Sequence, residues 1–344
     1  DVPSFLRVVM EIGRGHPAAA WCYALASAHC ILVSAHLPED VQKEIFGPRG
    51  DFRSPHRAPP AGKWRRVDGG YVVNGRWAYS SGIPVATHFI GGGLIEEPGK
   101  PPRGVNFIVA KDKLTVLPDW GNGASLGLEA SGSNTVELCD TFIPDRHLFS
   151  EDVVLTTEGF GPQEGQGARL HDNGMYLGVV GGFSATMFGA IFVGAARAAL
   201  DEYEEVARIT SPFGRPGVLR IHDIDTQSTF GKAATLTDCA EALTLSVGTM
   251  FMELCDGAYR SGTRVTVAQS MRLWNMARQA TMMACEAVEL LFCSSPVRAA
   301  NRGERMQRYL RDVQMYRIHP AAQPWLDELR ARSQWGQPLQ RLGH

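Results

Sequence analysis

The sequence predicts an α+β multidomain fold, with N-terminal helices, a central β segment and a C-terminal helical bundle. Three observations carry this. Up to about residue 47 the chain reads as helix, with Phe5, Leu6, Val9 and Ile12 at helical spacing. From about 50 to 147, short alternating runs replace that period, and proline and glycine become frequent. From Met175 onward, long amphipathic segments return, with faces rich in Ala, Met, Leu and Phe. The boundaries drawn are 1–48 for the helices, 49–148 for the β segment, 149–174 for a long loop and 175–344 for the bundle. The chain opens already helical and without Met, so earlier residues are expected to precede Asp1.

Each element has its own signal. Gly13-Arg14-Gly15 stops the first helix, and Pro17 suits the first turn of the next, where its missing N–H is not needed. Pro38 starts a short third helix ending near Phe46. The β runs are YVVNGRWAY, THFIGGGLI, VNFIVA, LTVLP and NTVELCDTFIP, whose spacing predicts a small barrel or sandwich. Asn74-Gly75 predicts a hairpin turn, because both residues tolerate positive φ. Residues 148–174 are polar and glycine-rich, either a surface excursion or an active-site lid. The bundle helices are expected near 175–208, 220–260, 264–293 and 303–317.

Composition narrows the function classes. Hydrophobic content of 44% and charged content of 20% are ordinary for a soluble globular protein of 344 residues. A net charge of −2 gives no general attraction to nucleic acid or anionic lipid. The reading finds no uninterrupted apolar run long enough for a membrane span and no signal peptide. Seven cysteines without CxxC spacing are expected to be buried free thiols in a reducing cytoplasm. No GxGxxG, Walker A or HExxH motif occurs, and the histidines show no metal spacing.

Two patches carry candidate chemistry. Trp77-Ala78-Tyr79-Ser80-Ser81-Gly82 closes a strand with aromatics, hydroxyls and glycine, and alternation predicts Trp77, Tyr79 and Ser81 on one face. Gly127-Leu128-Glu129-Ala130-Ser131-Gly132-Ser133-Asn134 precedes another strand. A flat heteroaromatic ring needs such surroundings: an aromatic wall, small residues for close approach, and donors for its polar edge. On the helices, Trp21, Leu25 and His29 share one face. The run Gln307 to Pro320 holds Arg308, Arg311, Asp312 and His319. There Arg308 and Asp312 are expected to pair on a helix surface, with His319 two turns beyond Asp312 if the helix continues.

In order and spacing these patches resemble two-component flavin-dependent monooxygenases of the acyl-CoA dehydrogenase fold. The best matches are 21–29, 74–82, 127–134 and 307–319. The resemblance implies an oxygenase component using reduced flavin, FMN or FAD, as a diffusible cosubstrate with O2. It would hydroxylate a small aromatic, phenolic substrate through a flavin C4a-hydroperoxide. It implies cofactor contacts from Trp77, Tyr79, Ser80, Ser81, Gly82, Ser131, Gly132 and Ser133, with Ser80 or Ser81 near the flavin N5. His29 and His319 would reach the substrate and, titrating near neutral pH, deprotonate or orient a phenol. Arg208 and Phe213 would meet the flavin of a neighbouring subunit, although their spacing is two residues longer than in acyl-CoA dehydrogenases. A separate NAD(P)H–flavin reductase, a homotetramer and a cytoplasmic location are implied too, with no nucleic acid, membrane or metal. Two departures stand out: Glu129 where the family often has Arg, and Gln323 where several hydroxylases have Asp. Alternatives are an acyl-CoA dehydrogenase, for which Glu286 and Glu289 are available as bases, an amine N-oxygenase, and a scaffold without flavin.

Overall fold

The structure, a computed structural model, describes residues 1–97, 99, 101–123, 125–150, 166–177, 181–337 and 339. Helices α1 (Val2–Gly15), α2 (Pro17–His36) and α3 (Glu39–Phe46) open the chain. Asp1 caps α1 by accepting the Ser4 N–H at 2.7 Å. Helix α2 has no Asp, Glu, Lys or Arg and is apolar all round, because two layers cover it. Its first half, with Trp21, Ala24 and Ala28, enters the helical core. Its second half, Leu32 and Val33, packs with Leu37, Val41 and Ile45 against Ile90, Ile108 and Phe149 of a β-sheet.

By length and composition alone, Pro17–His36 and Gly182–Ile209 could each cross a membrane. This corrects the sequence reading, which overlooked the unbroken apolar run of α2. In the fold the two windows are 50% and 83% buried inside the protein, the second being a core helix.

Among the described residues the β region has eight strands: β1 (His56–Pro60), β2 (Lys63–Val67), β3 (Gly70–Trp77), β4 (His88–Ile95), β5 (Arg103–Ala110), β6 (Thr115–Val116), β7 (Val136–Pro144) and β8 (Leu148–Ser150). They form two sheets, β1-β4-β5-β8 and β2-β3-β7-β6. Strand β1 runs parallel to β4, and Gly92 of β4 permits their close approach, since a Cβ there would collide with the Ala58 carbonyl.

The expected hairpin at Asn74-Gly75 is not there. Both residues lie inside β3, at an irregularity in its pairing with β7. Asn74 exchanges hydrogen bonds of 2.9 and 2.8 Å with Asp140 across that irregularity. Gly75 is needed because a Cβ would meet Gly62 Cα at 2.6 Å. The actual turn is Asp68-Gly69, between Val67 and its partner Gly70, with Gly69 at φ +72°.

Residues 151–165 of the expected 149–174 loop lie outside the described residues. Its end, read as loop, forms a short helix, α4 (Gln166–Leu170). The bundle follows as α5 (Gly181–Ile209), α6 (Ile224–Ser261), α7 (Val267–Ser294), α8 (Arg305–Arg317) and α9 (Trp325–Gln334). Asp223 caps α6, and a Thr266–Gln269 capping box opens α7. Helix α5 is central, packed on α1, α6 and α7. Cys255 and Cys285 are buried as expected, whereas Cys139, Cys239 and Cys293 are exposed.

Candidate active site

The two glycine- and serine-rich patches meet. Gly82 N–H donates to the Ser131 carbonyl at 2.7 Å, and Ser80 N–H to the Asn134 carbonyl at 3.1 Å. Side-chain hydroxyls continue the link, with Ser81 Oγ 2.8 Å from Ser133 Oγ and Ser133 Oγ 2.6 Å from Ser131 Oγ. Gly82 and Gly132 have φ of +84° and +54°, the left-handed backbone that favours glycine.

Strand alternation fails here, because β3 ends at Trp77 and Tyr79 takes φ +62°. Trp77, still in the strand, stays on its inner face with Tyr71 and Val73, 1% exposed, against Phe89 and Phe107 in the β core. Its indole N–H donates to the Gly92 carbonyl at 2.9 Å, so it is a core residue and not a cofactor wall. Tyr79 turns outward, 63% exposed, with Trp120 edge-on at 6.1 Å. Ser80 is fully buried and donates to the Trp77 carbonyl at 3.0 Å. Of the two serines left open by the sequence, only Ser81 is accessible, half-buried at the end of the hydroxyl chain.

Helix α2 lies over this cradle. Cys22 Sγ donates to the Ser131 carbonyl at 3.3 Å, and Trp21 meets His319 edge-on at 5.5 Å. Phe188 of α5 touches both Trp21 and His319. His29 lies two turns along α2 from Trp21, with its ring against His56 of β1, and neither it nor His319 titrates near neutral pH. Burial pushes His29 down to about 3 and His319 down to about 4. Their hydrogen bonds fix complementary tautomers. His29 Nδ1 lies 2.6 Å from the Ser54 carbonyl and must donate, leaving Nε2 as an acceptor. His319 Nδ1 accepts the Ala321 N–H at 3.2 Å, so its proton sits on Nε2.

Asp312 does not pair with Arg308 on a surface. It is 3% exposed, and its Oδ1 accepts the Leu128 N–H at 2.6 Å. Burial raises its pKa to about 6 against that hydrogen bond. Arg311 adds a bond to the Leu126 carbonyl at 2.9 Å. The helix then stops at Arg317, and His319 begins a separate 3-10 turn, so the expected continuous face does not exist. Gln323 braces that turn by donating to the Arg317 carbonyl at 2.9 Å.

Three residues escaped the sequence reading. His56 meets His29 at 5.5 Å with perpendicular rings and bonds Asn106 at 3.0 Å. Arg57 beside it is half-buried, and its charge reaches His319 and Tyr79. Trp120 supplies the second aromatic. A His-Arg pair inside the proline-rich run before β2 was the available signal for the first two.

Arg208 and Phe213 are not brought to this site. Arg208 pairs with Glu204 one turn away, and Phe213 is fully exposed. Twenty residues separate Arg208 from Phe188 on the same helix, roughly 30 Å along its axis. A cleft of about 230 Å³ beside Tyr203 and Phe230 also lies at that far end. It is apolar and without the hydroxyl chain, so it is not the candidate active site.

Comparison with known proteins bears on the fold and the relatives of the chain. Residues 186–324 match the family model "Acyl-CoA dehydrogenase, C-terminal domain". The flavin-dependent monooxygenase oxygenase subunit HsaA of Rhodococcus jostii is 27% identical over 94% of this chain and 81% of its own length. The structure of 3-HSA hydroxylase from Rhodococcus sp. RHA1 has a TM-score of 0.85 at 24% identity, covering 99% of this chain and 84% of that one. XiaF from Streptomyces sp., solved with FADH2 and glycerol, has a TM-score of 0.86 at 22% identity, covering 99% and 83%. The chain has the acyl-CoA dehydrogenase fold and is a homologue of the oxygenase subunits of flavin-dependent monooxygenases.

Proposed function

We propose that the chain is the oxygenase component of a two-component monooxygenase that hydroxylates an aromatic, phenolic substrate. One observation carries this reading: a hydroxyl chain ending in the half-exposed Ser81 at a strand end, with α2 laid over it and its Trp21 meeting the neutral His319. Reduced flavin, when bound, supplies two electrons to O2, so that one oxygen atom enters the substrate and the other leaves as water.

The chain's own residues fit such a ring. The Ser81 hydroxyl can donate to its polar edge, held in place by Ser133 and Ser131. Tyr79 and Trp120 give an aromatic wall, while Gly82 and Gly132 keep side chains out of the approach. His29 Nε2 can accept the proton of a substrate hydroxyl, and His319 Nε2–H can donate to its oxygen. With pKa values of about 3 and 4 they orient the phenol as neutral partners and are weak bases.

An acyl-CoA dehydrogenase reading is weaker, because its candidate bases are engaged elsewhere. Glu289 accepts from Gln314 and Arg317, and Glu286 lies 3.5 Å from Lys232. A separate NAD(P)H–flavin reductase, a homotetramer and a cytoplasmic setting complete the proposal. The test is anaerobic titration with reduced FMN and reduced FAD, followed by oxygen and a panel of phenols. Binding of either flavin with formation of a catechol supports the reading, and no binding of either overturns it.

A further inference from the structure

Beside the candidate site lies a permanent positive charge that the hydrogen bonds among the described residues do not use. Arg57 is half-buried on β1, next to His56, whose ring lies against that of His29. Among the described residues no carboxylate or carbonyl partners its guanidinium. The histidines around it do not neutralise it: His29, His56 and His319 are uncharged through burial. A half-buried guanidinium has lost part of its hydration, which an anionic partner would replace. Its five donors suit an anionic oxygen, and the position beside two substrate-facing histidines puts that oxygen on the substrate.

We infer that Arg57 is the residue that holds a negatively charged oxygen of the aromatic substrate, with His29 and His319 setting its orientation. The inference rests on the proposed function and gives it a substrate class: an aromatic anion, charged at a ring carboxylate or as a phenolate. The division of labour is physical. Neutral histidines can pass or receive a hydrogen bond, but they supply no net charge, and Arg57 does.

Equilibrium binding to the flavin-free chain tests this without turnover. One arm compares phenylacetate with phenylacetamide, which have the same shape but differ in charge. The other follows the ionisation of bound 4-cyanophenol by its ultraviolet spectrum, with His29, His56, His319 and Tyr79 as the other titratable groups facing it. The native chain should favour the anion in at least one arm, and that arm identifies the source of the charge. Arg57→Gln should reduce that preference by about tenfold to a hundredfold, the scale of one charge-assisted hydrogen bond. Arg57→Lys should keep most of it, and a native circular dichroism spectrum for both variants shows that folding is not the cause. Equal preference in the native chain and Arg57→Gln in both arms overturns the inference. So does a loss confined to reduced-flavin affinity, which would assign Arg57 to the cofactor. Failure of the monooxygenase reading shows separately, as absent hydroxylation with the anion preference intact.

Discussion

The Asp312 carboxylate of α8 accepts the backbone N–H of Leu128 at 2.6 Å, tying the C-terminal bundle to the glycine-rich turn that carries Ser131 and Ser133. The other carboxylate oxygen is buried without a hydrogen-bond partner among the described residues. The bond spans 184 residues of sequence and holds half of the candidate flavin cradle from the helix side.

Removing that clamp should loosen the cradle. Asp312→Ala leaves the Leu128 N–H unpaired in the interior, a loss of about 1–3 kcal/mol. Asp312→Asn keeps an acceptor and should cost less. Denaturant unfolding measures the stability change, and anaerobic titration measures weaker reduced-flavin binding in the Ala variant. Unchanged flavin affinity there would detach the clamp from the cofactor site.

The hydroxyl chain gives a graded prediction. Ser81→Ala should weaken reduced-flavin binding modestly and divert oxygen to released peroxide, by a factor of about 2 to 13 for one hydrogen bond of roughly 0.5–1.5 kcal/mol. Ser133→Ala should show the same trend, because it orients Ser81 at 2.8 Å. Ser80→Ala should affect stability more than coupling, since its hydroxyl is spent on the Trp77 carbonyl. Peroxide released per product formed is the readout. A larger coupling loss in Ser80→Ala than in Ser81→Ala would reverse the assignment.

His29→Ala and His319→Ala should each cut hydroxylation while reduced-flavin binding stays near native. Because burial holds these histidines at about 3 and 4, neither should produce a step in the rate profile between pH 5.5 and 8. A native rate in either variant would make that histidine a core residue. A histidine-dependent step near pH 6.5 would contradict the neutral-partner role.

Stability should fall with acid. His29, His36, His56 and His319 are held to about 3, 4, 4 and 4 when folded, against 6.5 when exposed. Below pH 6.5 the unfolded chain binds protons that the folded chain refuses, so stability is lost as pH falls from 6.5 towards 4. Each histidine contributes up to about 1.4 kcal/mol per pH unit in that window. Asp312 opposes this, because its folded pKa of about 6 lies above the ordinary 3.8 and favours the fold as it protonates. Four histidines outweigh one carboxyl, and denaturant midpoints at pH 7 and 5 should differ clearly. Equal midpoints would mean that the histidines are hydrated.

Assembly is open to a direct test. Phe213 is fully exposed, and Ile209 and Ile224 are 69% and 72% exposed at the same end of the bundle. The proposed tetramer would cover such residues and could bring Arg208 and Phe213 to a neighbour's flavin. Light scattering at micromolar concentration should give four times the chain mass, and Phe213→Asp should lower it. A monomeric native chain would remove both residues from the cofactor site.

The sequence by itself determined the order of helices, β region and bundle, because each has a local period that burial imposes on one face. It also determined the two hydroxyl-bearing patches and both histidines, since the residue types and spacings are visible along the chain. Tertiary structure decided the rest. Tyr79 parted from the buried face of Trp77 because β3 ends at Trp77 and Tyr79 takes a positive φ, which no alternation rule anticipates. Asn74-Gly75 became an irregularity inside a strand because β2 and β7 pair on either side of β3. The histidines lost their neutral-range titration because packing removed their water, and desolvation is a property of neighbours. Arg57 and Asp312 took their places for the same reason: a charge acquires its role from what surrounds it, and those surroundings come from distant parts of the chain.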